Sequence, residues 1–143
     1  MNYEKMSEKL QKLLMRGVEI SQKHSHSTVD TIHLLQAIFE DDVLDGLYQR
    51  LALDKQRARS MIQGEMAHIA VSSNANPQLS NEAAQSFAKA EKWSESVNEG
   101  YLSTAAVWIA LMFNKSYISK QLVKAFQLKE EQCKEEELKR RGG

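Results

Sequence analysis

At 143 residues the chain has about the length of one ordinary domain, and its 19 Lys plus Arg match 19 Asp plus Glu. Zero net charge excludes a basic nucleic-acid or anionic-membrane face as the main business, and a single cysteine, Cys133, excludes an internal disulfide. No apolar run nears the ~18 residues of a membrane span and the opening MNYEKMSEKL lacks a signal-peptide core, so the expectation is a soluble, cytoplasmic domain.

One proline and six glycines leave out the regular turn chemistry of an all-β fold, and helical periods take its place. Ser7 caps a first helix over 8–24, with Leu10, Leu13, Leu14, Gly17 and Val18 on one face. His24-Ser25-His26 reads as a solvated loop; as half a metal site it lacks a cysteine or further histidine close by. Asp30 caps a helix over 31–40, in which His33 stands among apolar residues as a core histidine bonded to backbone. Two more helices are expected over 43–51 and 55–69. Residues 71–79, rich in Ser and Asn and holding Pro77, read as a linker.

Beyond it, Ser80 caps a helix over 81–98 whose stripe is Ala83, Phe87, Ala90, Ser94 and Val97. Ser103 opens 104–114, which is apolar almost all the way round and belongs at the centre of a domain. A helix over 117–126 follows, then one over 129–140 with the pairs Glu130/Lys134, Glu135/Lys139, Glu136/Arg140 and Glu137/Arg141 at i,i+4. Only Leu128, Cys133 and Leu138 are placed to pack inward, so this helix is expected to hold by charge pairing and to fray at Arg141. Gly142-Gly143 reads as the start of a flexible tether.

The two halves share a pattern. Ser7 falls on Ser80, Ile20 on Trp93, Thr31 on Thr104 and Ala37 on Ala110 when one half is slid over the other. The fold class is therefore all-α: a pseudo-twofold tandem repeat of two four-helix units, about eight helices, sharing one core. Repeat one is about 1–70 and repeat two about 80–141. Gly17 and Ala90 hold equivalent places, where a small residue lets two helix backbones approach.

Chemistry-bearing motifs are missing: the sequence has no Walker A run, dinucleotide fingerprint or His-Glu-x-x-His. Cys133 has no histidine to act as its base and reads as a small hydrophobe on the inward side of the last helix. The expectation is a non-catalytic domain with no metal and no cofactor of its own.

Three stretches carry a resemblance: Met6-Ser7-Glu8-Lys9-Leu10-Gln11, Val29-Asp30-Thr31-Ile32-His33-Leu34-Leu35-Gln36-Ala37-Ile38, and the ending Lys139-Arg140-Arg141-Gly142-Gly143. Together they resemble the Clp N-terminal domain family, most closely its ClpB-type disaggregase branch, over essentially the whole chain. The resemblance implies a mobile, inert appendage that captures unfolded or aggregated polypeptide for a homohexameric AAA+ ring. ATP and Mg would then belong to modules outside this chain, and a DnaK-type chaperone system would meet the parent. The isolated domain is expected to be a monomer. A ClpA/ClpC-type adaptor-docking role is the alternative that the same resemblance implies.

The family's substrate groove carries over to Ser7, Lys89, Trp93, Glu99, Ala105 and Ala106. Lys89 replaces an apolar residue and Ala105 an acid, so the chemistry departs at two positions of six. Ser7 is also simply a helix cap, Glu99 also simply a loop acid, and Trp93 either core wall or groove lining. The ClpC branch's arginine-phosphate pockets need a Glu where this chain has Ile32 and Ala105, which favours a ClpB-type reading. The groove is expected between the two repeats, with Ser7 and Glu99 at its polar rim.

Overall fold

Side-chain caps set where the helices begin. Ser7 Oγ accepts the Leu10 N–H at 3.1 Å and opens α1 (Glu8–Lys23). Asp30 accepts the Thr31 N–H at 2.8 Å while the His33 ring accepts the Asp30 N–H at 2.9 Å, a reciprocal box that opens α2 (Thr31–Glu40). α3 (Asp45–Arg50) follows without a side-chain cap, and Asp54 caps α4 (Lys55–Met66). Ser80 and Ser103 repeat the Ser7 pattern, each accepting an N–H at 3.1 Å, to open α5 (Asn81–Ser96) and α6 (Thr104–Met112). α7 (Tyr117–Phe126) ends where Gln127 turns left-handed at φ 53°, and α8 (Glu130–Gly142) completes the chain. The computed structural model describes residues 2–73 and 76–142. Asn74 and Ala75 of the expected linker, and Gly143 of the expected tether, lie outside them.

The molecule is the all-α tandem repeat, with eight α-helices among the described residues. α1 packs on α2 and α5 on α6, while α2 and α6 touch each other at the centre. Every residue of α6 is buried, as are eight of the ten in α2. Phe39, Tyr48 and Trp108 join α2, α3 and α6 through ring contacts of 5.0 to 6.2 Å.

The repeats are tied by a reciprocal exchange. Thr28–Val29 (β1) pairs in parallel with Gln78–Leu79 (β2), and Met6 bridges Leu102 in the equivalent place. The Ser80 N–H donates to the Val29 carbonyl and the Ser7 N–H to the Leu102 carbonyl, both at 2.9 Å. The end of the expected linker is thus part of the fold: β2 carries main-chain bonds, and Pro77 beside it is buried.

Two local expectations are corrected. His26 is buried at 3% exposure, its Nδ1 2.7 Å from His33 Nε2, so the His-Ser-His loop turns inward to complete the His33 ring's bonding. In α8, Glu137 is buried at 2% exposure, whereas Leu138 is exposed. Of the four expected i,i+4 pairs, Glu130/Lys134 and Glu137/Arg141 form. Glu136 reaches across to Arg50 on α3 and Glu137 also takes Arg140, because the helix packs against a neighbour instead of standing in water.

Gly17 permits the close approach of α1 to α2: a Cβ there would lie 2.8 Å from Leu34 Cδ2. Gly17→Val should lower the unfolding free energy by about 1–3 kcal/mol, the usual cost of overpacking, as read by urea denaturation.

Burial, with His26 next to it, pushes the His33 pKa down to about 4. The folded protein resists a proton that the unfolded chain accepts near 6.5. Stability should therefore fall as pH drops from about 6.5 toward 4, by about 3 kcal/mol in all at 1.36 kcal/mol per pKa unit. Denaturation curves at pH 7.5, 5.5 and 4.5 measure this, and His33→Gln should flatten the dependence.

Candidate functional site

Trp93 leaves the buried stripe of α5 at its edge, half-buried, one turn after the exposed Lys89. Opposite it, Ala106, Ile109 and Ala110 share the face of α6 that spacings of three and four residues create. α8 closes the third side with Glu130 and Lys134. The result is an open cleft of about 250 Å³ with an apolar floor and a charged rim.

The rim is cationic on balance. Lys89 and Lys134 reach the same Glu130 carboxylate, at 3.5 and 3.1 Å, and Lys92 adds a third ammonium group. Lys134 Nζ lies 5.9 Å from the centre of the Trp93 ring and the Arg141 guanidinium 5.3 Å. Arg141 also bonds Glu137 at 2.7 Å, lies 3.0 Å from a Glu99 oxygen, and donates to Ser103 Oγ at 3.3 Å. The expected fraying at Arg141 is therefore replaced by anchorage: four groups from α5, α6's cap, the α5–α6 loop and α8 itself hold that side chain.

The six residues singled out by sequence fall into three neighbouring depressions. Lys89, Trp93 and Ala106 line the cleft just described. Ser7 and the buried Ala105 line a second, about 280 Å³, beside Arg140 and Arg141. Glu99 faces a third with Tyr101, and its ionic contact to Arg141 stands between it and Trp93. The Trp93 cleft is built wholly from repeat two, from α5, α6 and α8, and does not lie between the repeats as expected, because α8 folds back across that side of α6.

Sequence reasoning missed Ile109, Ala110, Lys92, Glu130 and Lys134 as cleft residues. Helical spacing from Ala106 and Lys89 points to the first three. Nothing local points to the α8 pair, whose i,i+4 register describes a solvated face equally well. Cys133 lies buried against the core, its thiol pushed up to about 12 by burial and by Glu130, which keeps it protonated.

Glu137 pairs with both Arg140 and Arg141 while almost wholly buried. Glu137→Ala should free the end of α8 and cost about 1–2 kcal/mol, discounted because both arginines reach solvent. Loss of Arg141 from the ring should also shift the emission of Trp93, which fluorescence measures beside that of the buried Trp108.

The description of the Clp repeat (R) N-terminal domain matches residues 5–126. The chain is 22% identical over 121 residues to chaperone protein ClpB of Bacteroides thetaiotaomicron, a match covering 83% of this chain and 14% of that relative. It thus spans a small part of that relative's length. In structure it is similar to the Hsp104 N-terminal domain from Candida albicans, with a TM-score of 0.83 at 18% identity, covering 96% of this chain and 91% of that one. It is also similar to a ClpV N-domain solved in complex with a VipB peptide, with a TM-score of 0.73 at 13% identity, covering 90% and 82% of the two chains. Because one family description runs through both repeats, from the segment before α1 to the end of α7, the chain belongs to the Clp repeat (R) N-terminal domain family.

Proposed function

We propose that this domain captures unfolded or aggregated polypeptide and presents it to the hexameric ring of a ClpB-type, ATP-dependent disaggregase in the cytoplasm. The observation that carries the reading is the Trp93 cleft, in which the half-buried indole overlooks a floor of Ala106, Ile109 and Ala110 inside a charged rim. Its size suits one or two apolar side chains. Burying ~100 Å² of apolar surface there is worth about 2–3 kcal/mol before the costs of association, so each domain binds weakly. Six copies on a ring turn weak contacts into avidity, and weak contacts let cargo pass on to the pore. In this reading the domain itself performs no catalysis. ATP and Mg act in the ring modules, and a DnaK-type system reaches the cargo through the parent.

Docking of a defined adaptor segment, as in ClpA/ClpC-type machines, is a second reading. Its support is the likeness to a ClpV N-domain that holds a VipB peptide.

Titrating the 143-residue chain with a reduced and alkylated, permanently unfolded model protein tests the first reading. Trp93→Ala should weaken binding about fivefold with an unchanged far-UV circular dichroism spectrum. Equal binding by the variant would remove the cleft from the mechanism. Indifference to unfolded chains, with saturable binding of one folded partner, would favour adaptor docking.

A further inference from the structure

We propose that the Trp93 cleft selects acidic–apolar segments: an apolar side chain on the floor of Ala106, Ile109 and Ala110, with flanking carboxylates against Lys89, Lys92 and Lys134. The inference rests on the proposed function and names the class of segment that the cleft takes.

The charge census of the rim decides the sign. Three lysines line the cleft against one carboxylate, Glu130, which Lys89 and Lys134 already share. Lys92 is exposed and makes no ion pair among the described residues. Glu131 sits 3.7 Å from Lys134 and is exposed, as Lys92 is, so counting both leaves three lysines against two carboxylates, still positive on balance. The other acids nearby are turned elsewhere: Glu91 and Glu95 face the separate depression that Glu99 lines. Glu99 itself is held by Arg141. An incoming carboxylate therefore meets unbalanced positive charge, and an incoming ammonium or guanidinium finds no free partner.

Trp93 reinforces the preference. A substrate Lys or Arg could seek the face of the ring, but Lys134 and Arg141 already stand over it at 5.9 and 5.3 Å. A third cation would be repelled by two. What remains for a ligand is the apolar floor and the lysine rim together. Bare anions satisfy only the rim, and uncharged apolar chains only the floor.

Three fluorescein-labelled peptides with the same Leu-Phe centre, flanked by Glu, by Gln or by Lys, separate these possibilities in anisotropy titrations with the 143-residue chain. At 50 mM salt the Glu-flanked peptide should bind about tenfold tighter than the Lys-flanked one, with the Gln-flanked peptide between them. The gap should shrink to about twofold at 0.5 M NaCl. Lys89→Glu with Lys92→Glu, two exposed positions, should reverse the order. Equal binding of all three peptides that is lost in Trp93→Ala would overturn the inference and leave the proposed function standing. Tightest binding by the Lys-flanked peptide would also overturn it. So would a Glu-rich peptide without the apolar centre binding equally well, or displacement by 10 mM inorganic phosphate. Failure of every peptide to bind the wild-type chain would overturn the proposed function and the inference together.

Discussion

A helix with no polar face has to be enclosed on every side, and α6 is such a helix. All nine of its residues are buried, including Trp108 at its middle. One four-helix unit does not surround it: α5, α7 and α8 cover part, and α2 and Tyr48 of α3 in the other repeat cover more. α2 has the same requirement and is met by α1, α4, α6 and α7. The two buried helices therefore oblige the repeats to merge. Neither half of the chain has the surface to satisfy its own centre, which is the expected behaviour of units this small.

The merger uses few, specific polar contacts, and they come in pairs. Ser7 and Ser80 each cap a long helix with the hydroxyl and reach into the other repeat with the backbone N–H. Asp41 and Asn114 each accept an N–H two residues on, from Val43 and Ser116 at 2.8 and 2.9 Å. There the pairing stops. Asn114 donates to Thr31 and Ser86, whereas Asp41 takes Lys9. Ile20, the counterpart of Trp93, is fully buried, and Gly64 stands where repeat two has Glu137. The candidate site thus lies where the repeats differ. In repeat two a bulky ring and a charged helix shape the cleft, whereas Lys23, Gln36, Gln63 and Met66 line the depression on repeat one.

Much of the fold could be read along the chain because helix starts are local events. A hydroxyl or carboxylate followed by an apolar period describes its own geometry, and Ser7, Asp30, Ser80 and Ser103 all behave so. His26 and Glu137 were misread for the complementary reason. Both are polar residues in polar stretches whose partners stand close in sequence, His33 for one and Arg140 and Arg141 for the other, but only the packing of the loop and of α8 decides that these pairs are formed in a buried place. Trp93 was legible as an edge residue, but its neighbours on α8 were not. An i,i+4 charge pair looks the same on a solvated helix as on one laid across a cleft.

The amino-acid sequence by itself determined the number of helices, their caps, the tandem repeat, and the fully apolar helix that must be central. These rest on periodicity and on hydrogen bonds spanning three or four residues. Tertiary structure alone decided where α8 lies, that Arg141 is held instead of frayed, and that Lys89, Lys92 and Lys134 gather round one apolar floor. Those outcomes depend on how a charged helix trades water for Glu99, Glu137 and the ring of Trp93, a balance set by packing between segments far apart in the chain.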